Sequence, residues 1–205
     1  MNISIFTKRH PLLTYFVLTF AISWGGFLMV VGGPGGFPGT KEQFETVLPI
    51  AVMVMLVGPA VAGILLNGLV YGRASLREVL SRLLKWRVGA RWYAAALLIA
   101  PLLMTVVGLA LSLLSTEFLP GILTVTDKAP ILLSGIAAGL TTVLEELGWT
   151  GFAVPRLRLR YGVFATGLIV GVLWGVWHFL VKIWMSGALG LAPFLVVDLF
   201  TAVLN

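Results

Sequence analysis

The chain of 205 residues contains no cysteine, only 2 histidines and only 8 acidic side chains. Each shortage removes a class of explanation. Without cysteine there is no disulfide framework, no thiolate metal site and no cysteine nucleophile. One histidine, His10, sits in the basic leader TKRH, so His178 in VLWGVWHF is the imidazole left for chemistry deeper in the chain. Charge is scarce as well: 11% of residues are charged against 59% hydrophobic, and the mean hydropathy is +1.04. A water-soluble domain of this length does not carry such a balance, and the composition predicts an integral membrane protein. The formal charge of +6 does not imply nucleic acid, because the basic residues fall between apolar segments, where they set orientation in the bilayer.

What is abundant agrees. There are 24 glycines and 10 prolines, residues that membrane helices tolerate because glycine lets backbones approach and neighbours satisfy the carbonyl that proline frees. Apolar segments of roughly 20 residues, enough to cross a bilayer, recur at about 11–32, 47–71, 92–114, 131–154 and 163–185. A sixth begins near Leu189 and is cut off at Asn205. The expected fold is therefore all-α, a polytopic transmembrane bundle of about six spans, forming one membrane-embedded domain over residues 1–205. Gly58-Pro59 is the expected kink of the second span. After it, Leu76, Val79, Leu80, Leu83 and Leu84 recur at helical spacing among Arg77, Arg82 and Lys85, predicting an amphipathic helix on the membrane surface. Eleven of the 14 basic residues lie in the leader and the second and fourth connections. The positive-inside rule then places the amino terminus and the turn PRLRLR in the cytoplasm of a plasma-membrane protein. No internal repeat is visible, which argues against a transporter of duplicated halves.

Against this apolar background TTVLEELGWTGF places Glu145 and Glu146 side by side in the fourth span. A carboxylate near the bilayer centre costs on the order of 3 kcal/mol, so such acids face a protein interior or a water-filled cavity. Neighbours on a helix point about 100° apart, and the two acids cannot serve one target in the same way. The natural partner is His178 in the fifth span, with Trp174 one turn before it on the same face, where it can wall a pocket. Two carboxylates and an imidazole can polarise a water as general bases, or hold a divalent metal such as zinc that does so, and either arrangement gives a hydrolase. A Glu–His pair that only locks two helices, and a proton or ion path, are the alternatives.

EELGWTGFAVPRL followed by VLWGVWHF, together with the opening RHPLLTYFVLTFAISW, resembles the CPBP (Abi) family, intramembrane proteases that include type II CAAX prenyl endopeptidases and bacteriocin-processing or immunity proteins. The resemblance implies an endopeptidase without a covalent intermediate, acting on a peptide or protein substrate that is membrane-bound or lipidated. It implies that Glu145 activates the water with His178, that Glu146 is the second acid with a structural or metal-related role, and that Trp149, Thr150 and Trp174 border the substrate pocket. Two departures stand out. The family motif EExxxR has Thr150 at its arginine position, and no histidine follows His178, so the third histidine motif is missing and Asn205 comes too early for the closing polar residue. The expectation is a truncated member, weak in catalysis by itself; the alternative is a non-catalytic membrane protein of the same fold, in bacteriocin immunity or as a scaffold.

Overall fold

A computed structural model describes residues 3–189, and among these residues every regular element is helical. The expected sixth span and Asn205 lie outside the described residues. A short helix α1 (Ile3–Arg9) precedes α2 (Pro11–Val31), which opens on a proline at its first position, where no N–H is needed. It stops at Gly32, whose φ of 86° is left-handed and whose N–H closes on the Leu28 carbonyl. The small helix α3 (Lys41–Thr46) is set by a reciprocal capping box between Thr40 and Gln43. Then follow α4 (Leu48–Leu83), α5 (Ala90–Ser112), α6 (Gly121–Thr124), α7 (Ala129–Gly148), a π-helical turn at Trp149–Ala153, α8 (Val154–Arg158) and α9 (Val163–Leu189). Among the described residues, five helices are long and apolar enough to cross a membrane, the one containing α7 and α8 being counted from Ala129 to Arg158.

Thirty-six residues of α4 would extend about 54 Å at 1.5 Å per residue, far beyond a hydrocarbon core of about 30 Å. The helix breaks at Gly72 (φ 78°, ψ −174°), a conformation nearly confined to glycine. Residues 48–71 thus make a span, and residues 73–83 a separate basic segment, as the amphipathic pattern predicts. The kink expected at Gly58-Pro59 is not the break: Pro59 lies inside continuous helix. Having no N–H, Pro59 leaves the Met55 carbonyl without its i→i−4 donor, and the buried Ser23 hydroxyl of α2 donates to that carbonyl at 2.6 Å. The fourth span also runs past its expected end, to Arg158.

The chain divides into two compact units, one of residues 80–140 and one of the segments before and after it. In the 80–140 unit, α5 buries no side chain and displays Leu97, Leu98, Leu102 and Val106, an all-round apolar surface suited to lipid. In the other unit, α2, α4, the π turn and α9 share one core of Tyr15, Phe27, Met55, Leu66, Trp149, Phe152, Trp177 and Trp184. Close approach rests on small residues: a Cβ on Gly63 would strike the backbone of Leu147 and Gly148, and one on Gly148 would strike the Pro59 carbonyl and the Tyr15 hydroxyl.

Candidate functional site

The two acids diverge as their 100° offset requires. Glu145 is 5% exposed, and its Oε2 has no hydrogen-bond partner among the described residues. Glu146 is exposed and lines a cavity of about 400 Å³ between the α7–α8 segment and the first half of α9. Trp149, Thr150 and Trp174 line the same cavity, with Arg158 and Thr166. Its other walls include Val154, Val163 and Gly167, so it is a mostly apolar cleft with a carboxylate at one end and a guanidinium at the other. Between Val163 and Trp174 it follows α9 for about 16 Å of helix rise.

Local chemistry explains the shape of the acid wall. Pro155 offers no N–H to the Gly151 carbonyl, and just ahead of it the helix widens into the π turn, with the Val154 N–H reaching back to the Trp149 carbonyl. The extra residue changes the helical register, so that Trp149, Phe152 and Ala153 all point into the core. Thr150, at the position where an arginine would face the second acid, donates its hydroxyl to the Glu146 carbonyl at 2.8 Å, a bond within its own helix.

On α9, Trp177, Val181 and Trp184 form the buried stripe. Trp184 donates to the Gly36 carbonyl at 3.0 Å, and the Trp177 carbonyl accepts from the Trp24 indole at 2.9 Å. This stripe fixes the rotation of α9 and with it the direction of Trp174 and His178. His178 Nδ1 lies 3.0 Å from the Trp174 carbonyl. A carbonyl only accepts, so Nδ1 carries the proton and a neutral ring keeps its lone pair on Nε2. The His178 ring is held between Trp174, with centroids 4.0 Å apart, and Trp177 at 4.6 Å.

The structure does not bond either acid directly to His178. Trp174 intervenes: its ring touches His178 and its indole is the side-chain donor facing the Glu145 carboxyl. Among the described residues no three His, Cys, Asp or Glu side chains come close enough to share a metal ion. Glu145, Glu146 and His178 are thus not gathered into one three-ligand group among the described residues.

Residues 127–204, the segment with the acid pair, the π turn and the histidine, match the family model of Type II CAAX prenyl endopeptidase Rce1-like proteins. That segment is similar to the endopeptidases of the CPBP family. The chain is similar to the CAAX prenyl protease 2 of Methanococcus maripaludis, with 23% identity over 178 residues, covering 84% of this chain and 62% of that protein. The chain thus spans less than two thirds of the length of this curated relative. No solved structure matches it. With five apolar helices among the described residues and this similarity to membrane endopeptidases, the chain is a multi-pass membrane protein.

Two groups beside this site are absent from the sequence-based expectation. Tyr15 of α2 is fully buried, stacks on Phe152 at 5.0 Å, meets Trp149 edge-on at 6.0 Å, and is close enough to both carboxylates to interact with them electrostatically. The signal was available: Tyr15, Thr19 and Ser23, at spacing four, are a polar stripe through an apolar span, and all three are buried. The second is Arg156. Instead of snorkelling to the surface, its guanidinium donates to the Phe152 carbonyl at 2.9 Å and to Asn67 at 2.8 Å, and lies over the rings of Tyr71 and Phe152. Nothing in a single PRLRLR run distinguishes that arginine from Arg158 or Arg160.

Proposed function

We propose that this chain is the core of a CAAX-type intramembrane endopeptidase in which Glu145, assisted by His178, activates the attacking water. The observation that carries the reading is Glu145 itself: a carboxylate buried in a membrane helix, with one oxygen unpartnered among the described residues, on the helix whose next residue opens onto a cleft. Membrane helices hold such acids where a reaction or a transport path requires them.

In this mechanism Glu145 takes a proton from water as the oxygen adds to the peptide carbonyl carbon. The tetrahedral intermediate then breaks its C–N bond, and the proton held by Glu145 passes to the departing amine. His178, fixed by its bond to the Trp174 carbonyl, offers Nε2 as a second acceptor that orients the water. Glu146, on the cavity wall, accepts an N–H of the substrate backbone. The peptide lies in the cleft bordered by Trp149, Thr150 and Trp174, and any lipid it carries stays with the bilayer and the apolar wall.

The test uses the purified chain in proteoliposomes with a prenylated peptide bearing a carboxy-terminal CAAX sequence. Glu145→Gln, which keeps size and packing but cannot accept the proton, is expected to lower cleavage by about 10²–10⁴-fold. Equal cleavage by the parent and Glu145→Gln overturns the assignment of Glu145, and no cleavage by the parent leaves the scaffold reading in its place.

A further inference from the structure

Tyr15 has a hydroxyl that packing does not explain. The ring is fully buried against Phe152 and Trp149, contacts that phenylalanine would make equally well. The hydroxyl meets no partner within hydrogen-bond geometry among the described residues; the Thr19 hydroxyl, one turn on, faces it but is itself buried and unpartnered, and an unsatisfied buried O–H destabilises the fold. A tyrosine kept at such a cost has some other use.

Its position suggests which. A Cβ on Gly148 would run into the Tyr15 Oη, so the hydroxyl sits against the helix at Gly148, and the glycine makes room for it. Gly148 is three residues after Glu145, hence on the same face of α7, and both are buried. Further polar atoms in this region, Thr19 Oγ1, Glu145 Oε2 and Trp149 Nε1 among them, are also buried and unpartnered among the described residues. Trp149 is in ring contact with Tyr15. The set is chemically complementary: an acceptor on the acid, and donors on the phenol and the indole.

We propose that Tyr15 is a positioning residue for Glu145, donating its O–H through one bridging water to the carboxyl oxygen that the protein leaves unpaired. Held in this way, the other oxygen, which the Trp174 indole faces, keeps its second lone pair for the attacking water. The Tyr15 proton is not transferred; it orients the group that moves protons. This rests on the reading of Glu145 as the proton acceptor, and the experiment separates the two.

Tyr15→Phe and Glu145→Gln are compared with the parent chain in proteoliposomes by cleavage kinetics, thermal unfolding and difference infrared spectroscopy. The carboxyl band of Glu145 is the one lost in Glu145→Gln. The expected result for Tyr15→Phe is an unchanged or higher unfolding midpoint, with kcat lowered about tenfold or more and KM within about twofold. The Glu145 band is expected to shift. Wild-type kcat in Tyr15→Phe overturns the proposal, as does a loss of rate accompanied by a lower midpoint, which marks a structural role. Should Glu145→Gln cleave as the parent does, the catalytic reading fails and the band decides alone: a shift in Tyr15→Phe sustains the pairing, and an unmoved band overturns it.

Discussion

At the residue scale, the membrane interior makes single hydrogen bonds count, because a freed carbonyl there finds no water. Ser23 is the clearest case. Its hydroxyl serves the Met55 carbonyl that Pro59 leaves without a donor. Ser23→Ala is expected to cost about 1–3 kcal/mol, read as a lower unfolding midpoint in detergent. Pro59→Ala supplies an N–H for the same carbonyl, so Ser23→Ala should cost less in that background, and equal costs would refute the pairing. Much of this scale was legible in the sequence. The different fates of Glu145 and Glu146 follow from helix geometry alone, and Thr150 bonds a carbonyl one turn back, as a threonine in that position can. Arg156 was not legible, because its direction depends on Asn67 and Tyr71, which lie more than eighty residues earlier. Neither was the role of Trp174 as the link between Glu145 and His178, since spacing gives a shared face but not which side chain stands between.

At the element scale, spans and their order could be read from hydropathy, whereas breaks within them depended on backbone conformation. The end of the second span and the start of a basic amphipathic segment were plain; that the chain turns at Gly72 is known from its φ. Because of that turn the Ser75 hydroxyl reaches Asn67 at 2.7 Å, and the Val79 side chain packs on Gly151 of the π turn. Gly72→Val has open space at its Cβ but not the backbone conformation. It should destabilise by about 1–3 kcal/mol, with faster proteolysis near residue 72 as the readout; an unchanged midpoint and digestion pattern would refute the need for glycine. The π turn was illegible because proline inside a membrane helix can kink, bend or widen it. The cleft offers a sharper element-scale test. A Cβ at Gly167 meets nothing within 4 Å, and Gly167 lines the cavity. Gly167→Leu should therefore fill the cleft while leaving the fold intact, lowering cleavage about tenfold or more through substrate exclusion at an unchanged or higher midpoint. Undiminished cleavage would show that the peptide does not use this cleft.

At the scale of the whole molecule, the chain's lack of cysteine makes its topology measurable without first removing native thiols. Lys8, Gly35 and Leu159 are all exposed and lie outside the apolar spans. Between Gly35 and Leu159 the chain passes through α4, α5 and the helix containing α7. An odd number of crossings puts those two positions on opposite sides of the membrane. That parity depends on α5, the helix with no buried side chain: if it lay along the surface, two crossings would remain and the positions would share a side. The clustering of basic residues argues that Leu159, among Arg156, Arg158 and Arg160, faces the cytoplasm with Lys8. In intact cells a membrane-impermeant thiol reagent is then expected to label Gly35→Cys and to spare Lys8→Cys and Leu159→Cys until the cells are opened. Labelling of Lys8→Cys and Leu159→Cys with Gly35→Cys spared would reverse the orientation and keep the bundle. Equal protection of Gly35→Cys and Leu159→Cys would mean that α5 does not cross, and the acid pair of α7 would then enter the membrane from the opposite side to the one the charge distribution predicts.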